Sequence, residues 1–82
     1  MSVAIDIDVD WNTQDDTGMS WTFRDEATDP SRIVAGAYVV AGRGTAVAVA
    51  EVVDVGEDDV VHLRPLPGPV SANAHLLSTA AR

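Results

Sequence analysis

Residues 37–64, AYVVAGRGTAVAVAEVVDVGEDDVVHLR, decide the fold. Ala37–Ala41 is a short β-rich run, and Gly42-Arg43-Gly44 breaks it as a tight connection of hairpin type. Thr45–Val55 is a second, longer run with a change of phase. Val47 and Val49 suggest one inward face, yet Glu51 falls on that face, while Val52 and Val53 are both apolar. A bulge or bend near Ala50-Glu51 reconciles the two halves and lets one strand serve two sheets. Gly56–Asp59 is the next turn. Val60–Arg64 then alternates, with Val61 and Leu63 opposed to Val60, His62 and Arg64. Pro65, Pro67 and Pro69, with Gly68 among them, end the sheet because proline cannot donate to a ladder.

The N-terminal third extends the pattern. Val3, Ile5, Ile7, Val9 and Trp11 alternate with Ala4, Asp6, Asp8 and Asp10, the period of a half-buried strand. Asn12–Gly18 is a polar loop. Met19, Trp21 and Phe23 then alternate with Ser20 and Thr22 as a second short strand. Asp29-Pro30-Ser31 predicts a helical turn near residues 29–33, with Asp29 as cap and Pro30 at the first helical position. In the tail 70–82, Val70, Ala74, Leu77 and Ala81 follow helical spacing and Ser71 is placed to cap. The segment is short and terminal, so a helix and a frayed end both remain open. These readings assign residues 1–69 to one β domain and 70–82 to its tail.

The fold class is therefore all-β, a small barrel of about five strands. The stretch Ile33–Val40, followed by Ala50–Val55 and Val60–Leu63, resembles an SH3-like barrel, in which a G-x-Y/W-V strand precedes an A-x-V strand. Leu66-Pro67-Gly68-Pro69 sits where such barrels make their last turn. The resemblance covers residues 33–69 and implies a fold. Peptide-binding SH3 domains present an aromatic band, and this chain has only Trp11, Trp21, Phe23 and Tyr38. Nucleic-acid-binding relatives carry basic loops, and these loops are acidic. The whole chain also resembles small acidic actinobacterial proteins of uncharacterised function.

Composition narrows the function. The 82 residues carry a net charge of −8, and all five cations are arginines. Nearly all the field comes from residues 1–30, where eight acids face Arg24 alone. Such a balance argues against holding a phosphate backbone. The absence of cysteine excludes thiolate zinc sites, disulfides and thiol nucleophiles. No signal peptide or spanning run is readable, so the expected location is cytoplasmic, with no membrane partner.

Candidate sites are few. Asp6, Asp8 and Asp10 have the D-x-D-x-D opening of a calcium loop, but Trp11 stands where glycine is needed and Thr17 where glutamate is needed. A solvated strand face is the plainer reading. Neither His62 nor His75 has a readable ligand set or catalytic partner, so no metal, cofactor or catalytic residue is expected. The four aromatics read most simply as core, although an exposed Trp11 or Trp21 beside the acidic loop would anchor a partner. The leading expectation is a non-enzymatic acidic binding or accessory module, monomeric or weakly dimeric. It would dock on a protein with a basic surface through Asp6, Asp8, Asp10, Trp11, Asp15, Asp16 and Trp21. A DNA-mimic inhibitor of a nucleic-acid-binding protein is the alternative; a small enzyme or divalent-metal binder is third. Should the Asp6–Asp10 carboxylates be structural, Arg24 and Arg64 are their expected partners; otherwise their removal leaves the fold as stable or more so.

Overall fold

A computed structural model describes residues 5–80. Five strands follow one another as β1 (Ile7–Asp8), β2 (Ser20–Phe23), β3 (Tyr38–Arg43), β4 (Ala46–Val55) and β5 (Val60–Pro65), before a helix α1 (Val70–Ala80). Two short 3-10 turns, Arg24–Glu26 and Pro30–Arg32, lie between β2 and β3. The strands form one sheet in the order β1-β3-β4-β5-β2, antiparallel except where β1 runs parallel to β3. The sheet curls strongly into a half-barrel.

The β3–β4–β5 meander forms where turn residues interrupt β-branched runs. Arg43 pairs with Ala46, so Gly44 and Thr45 make a two-residue turn in which Gly44 supplies a φ of 59°. A bulge does interrupt β4, but it lies at Val53, between the pairs Val52–Leu63 and Asp54–His62, and not at Ala50-Glu51. The inward face before the bulge is also the opposite one. Ala50 and Val52 point into the core with Val39, Ala41, Val61 and Leu63, joined by Ile7, Val9 and Ile33. Val49 lies on the other face opposite Val40; both are buried yet outside that cluster, and α1 packs over β3 and β4. With apolar residues on both faces, the alternation of β4 carried no sign of which was inside.

Helix α1 forms, with Val70, Asn73, Leu76 and Leu77 half-buried. Ala74 is exposed, so the buried stripe differs from the predicted one, and Ala81 lies outside the described residues. Ser71 is inside the first turn and is not its cap. The chain turns in at Pro69, whose carbonyl accepts from Ala72 N at 3.0 Å, and Asn73 Nδ2 donates to Pro67 O at 3.0 Å. The Asp29 cap forms as read, its Oδ1 accepting from Ser31 N and Ser31 Oγ at the turn Pro30–Arg32.

β1 is shorter than the alternation predicts, and Val3 and Ala4 lie outside the described residues. Its inward side chains Ile7 and Val9 are fully buried. Its far side is sealed by a bridge from Ile7 to Ala27, by Thr28 N donating to Asp6 O and by Thr22 Oγ1 donating to Asp8 O. That seam corrects the reading of β2. Ser20 and Thr22 face inward and are buried, while Trp21 and Phe23 face out. The seam needs a small side chain that can donate a hydrogen bond, and Thr22 satisfies both demands. Among the described residues no helix is long and apolar enough to cross a membrane.

Candidate functional site

The carboxylates of Asp6, Asp8 and Asp10 are partly exposed and each is engaged by a partner in the fold. Asp6 Oδ2 accepts from the Val40 amide at 2.9 Å, and its Oδ1 lies 3.5 Å from Arg32 Nη1. Asp8 Oδ1 accepts from Arg43 Nε at 2.8 Å. Asp10 Oδ1 accepts from Asn12 N at 3.0 Å, and its Oδ2 stands 3.9 Å from Arg43 Nη1. The hydrogen bond to Asp8, and then its charge, push the Arg43 guanidinium above its usual value. The partners are thus Arg32 and Arg43, and not Arg24 or Arg64. Arg24 Nε donates to Pro30 O, and Arg64 pairs with Glu51. These acids tie β1 to β3, which corrects their reading as a merely solvated face.

A second set of carboxylates surrounds His62. In the loop between β1 and β2, Asp15 Oδ1 accepts from Thr17 N at 2.9 Å, Thr17 Oγ1 at 2.6 Å and Met19 N at 3.1 Å. The Thr17 hydroxyl foremost, with these amides and His62, holds the Asp15 carboxyl below the usual carboxylate range against a smaller opposing effect of desolvation. Its Oδ2 lies 3.1 Å from His62 Nε2, while His62 Nδ1 lies 2.7 Å from Asp54 Oδ1. Both ring nitrogens therefore face carboxylates, which makes a polar bridge from the loop through β5 to β4. The bulge creates it. Continuing the register of Val52–Leu63 without Val53 as an extra residue would set Val53 beside His62 and turn Asp54 inward opposite Val61.

The aromatics border this bridge. On the outer face Trp21 pairs with His62, and Phe23 with Val60. The Trp21 and Phe23 rings meet edge to face, centroids 5.5 Å apart at 88°, and Phe23 is 47% exposed. None of the four aromatics is fully buried, which corrects their assignment to the core. Trp11 comes nearest: it packs against the core cluster and its Nε1 donates to Ala46 O at 2.9 Å. Tyr38 is half-buried opposite Glu51.

A cavity of about 640 Å³ is lined by residues that include Trp11, Met19, Ala48, Leu63 and Pro65. Among the described residues lining it, only Arg64 carries a charge. The cavity and the acidic outer face are therefore separate features.

The seven residues singled out from the sequence do not converge. Asp8 lies on β1 with Asp6 and Asp10 flanking that strand, Trp11 lines the cavity, and Asp16 is exposed in the loop. Asp8 and Asp10 share Arg43, and Asp15 and Trp21 each stand beside His62. Asp54, His62 and Phe23 complete that surface and were missed as binding residues. The change of phase in Thr45–Val55 was the available signal, because the bulge it announces sets Asp54 outward. Among the described residues no group of three or more histidines and acids is placed to hold a metal ion. No family model, no curated protein and no solved structure matches the chain.

Proposed function

We propose that this chain is an acidic, non-enzymatic binding module that docks a basic segment of a partner protein on the outer face of β2 and β5. One observation carries the reading: an edge-to-face pair of half-buried Trp21 and exposed Phe23 lies beside a histidine held by Asp15 and Asp54. Aromatic faces attract guanidinium and ammonium groups, and nearby carboxylates steer and orient them. Two rigid aromatic side chains on a strand also present contact area at little entropic cost. In fold we read the half-barrel as SH3-like, from its three-stranded meander with a bulged central strand. Duplex mimicry draws less support, because Asp6, Asp8 and Asp10 already engage Arg32, Arg43 and backbone amides.

The test is affinity capture with the wild type and with Trp21→Ala/Phe23→Ala, after circular dichroism has established that the variant folds. A captured partner should present a basic segment, and the variant should lose it about tenfold or more, as expected of a central aromatic anchor. Equal retention by both proteins refutes the docking face. Competition by duplex DNA, with binding unaffected by the aromatic change, returns mimicry to the front.

A further inference from the structure

The bridge from Asp15 through His62 to Asp54 fastens a loop to the sheet by a group whose charge is conditional. The loop's backbone bonds stay local: Gly18 N donates to Asp15 O, Asp15 N to Met19 O, and Gln14 bridges to Ser20. Its attachment to β5 and β4 runs through the imidazole. With a proton on each nitrogen, the ring donates to both carboxylates at once. With one proton it donates to one and turns a lone pair toward the other, across about 3 Å. The charged groups facing the ring are Asp15 from the loop and Asp54 from β4. Along β5 the nearest is Arg64, engaged by Glu51, and β2 contributes the uncharged Trp21.

We propose that His62 is a charge-operated latch. Doubly protonated, it pins residues 12–19 to β4 and β5 and occupies the carboxylates beside Trp21; singly protonated, it gives one of them up. The second half rests on the docking face proposed above, and the pinning of the loop does not. The sign is fixed, because a partner's guanidinium and the imidazolium compete for the same two carboxylates. Docking strengthens as pH rises, and pinning weakens.

The full chain can be followed by NMR over a pH interval that spans both charge states of the imidazole. Protection factors for the amides of Thr17 and Met19, corrected for intrinsic exchange, should fall about threefold to fivefold, the scale of one partly exposed ion pair. They should stay level in His62→Gln and fall as in wild type in His75→Gln. Level protection in the wild type, or an undiminished fall in His62→Gln, overturns the latch. In a second series a hexa-arginine peptide is titrated in and the Trp21 indole resonance is read. Affinity should rise about threefold to fivefold across the interval in the wild type and stay constant in His62→Gln. A peptide that never moves Trp21 overturns the docking face, while the protection factors still decide the latch. A peptide that moves Trp21 with pH-independent affinity overturns the competition.

Discussion

The carboxylates of β1 and those around His62 use the same chemical group for opposite ends. Asp8 and Asp10 meet Arg43, and Asp6 meets Arg32 and the Val40 amide. Arginine stays protonated throughout the range in which a histidine changes charge, so this attachment does not depend on the protonation of its cation. Asp15 and Asp54 meet a histidine, whose charge is conditional. The number of acids in a region therefore says little about what they do; the cation each one meets decides. At β1 the cations fasten the strand to its neighbours, and on the outer face the cation leaves a surface that changes with pH.

The comparison breaks first if the end of β3 that seats Asp8 can be distorted without consequence. Gly42 pairs with Asp8 and its carbonyl accepts from Val9 N at 3.1 Å. A Cβ built at Gly42 would stand 2.1 Å from Ala46 O, on a backbone with φ of 147°. Gly42→Ala should cost about 3 kcal/mol in urea unfolding. Gly44→Ala is the comparison: it too has a positive φ, 59° in the turn, with nothing within 4 Å of the new Cβ. It should cost only about 1 kcal/mol. Equal losses would mean that backbone strain alone matters and that β4 gives way at Ala46 and Val47 to the added Cβ.

Asp6 sharpens the meaning of that attachment. Its carboxylate accepts from a strand amide that faces β1, so removing the acceptor leaves the Val40 N–H without it. Asp6→Ala should cost about 1–2 kcal/mol. Asp6→Asn keeps an oxygen there and loses only the charge toward Arg32, 3.5 Å away, so it should cost less than half as much. If the two variants were equal in urea midpoint, the ion pair would be the attachment and the backbone bond incidental.

How much of this was readable from the sequence depends on how local each determinant is. The meander was legible because Gly44, Gly56 and the prolines after Arg64 punctuate runs of valine. The Asp29 cap was legible for the same reason, since donor and acceptor stand two residues apart. The inward face of β4 was not, because α1 covers its other side and both faces are apolar. β2 misled more sharply: a hydrophobicity count turns Trp21 and Phe23 inward, whereas the closing seam demands Thr22 bonded to Asp8 O. The His62 bridge needed two facts that no local pattern holds, the exact residue of the bulge and a loop contact from Asp15, 47 positions earlier in the chain. A shift of the bulge by one residue changes which side chains face His62.

The smallest effect separates the loop from the rest of the molecule in acid. Asp15 is held below the usual carboxylate range, first by the Thr17 hydroxyl, then by the Thr17 and Met19 amides and the charge of His62, with desolvation opposing. A carboxyl depressed in the folded state binds its proton later than in the unfolded chain. The stability it contributes is present above the ordinary carboxylate pKa of ~3.9 and is lost as pH falls through the folded value. Urea midpoints from pH ~6 down to ~3 should therefore decline less steeply in Asp15→Asn than in the wild type. Asp29 provides the comparison, since the Ser31 hydroxyl lowers it likewise but at the turn Pro30–Arg32, outside the loop. Asp29→Asn should also flatten the acid limb, and the two effects should add, because the sites share no hydrogen-bond partner. Loop protection tells them apart. Asp15→Asn removes a charge the imidazolium needs, so the pH dependence of the Thr17 and Met19 amides should shrink, while Asp29→Asn leaves it intact. If Asp29→Asn removed that dependence equally, the loop would be answering to the net charge of the whole chain and not to His62.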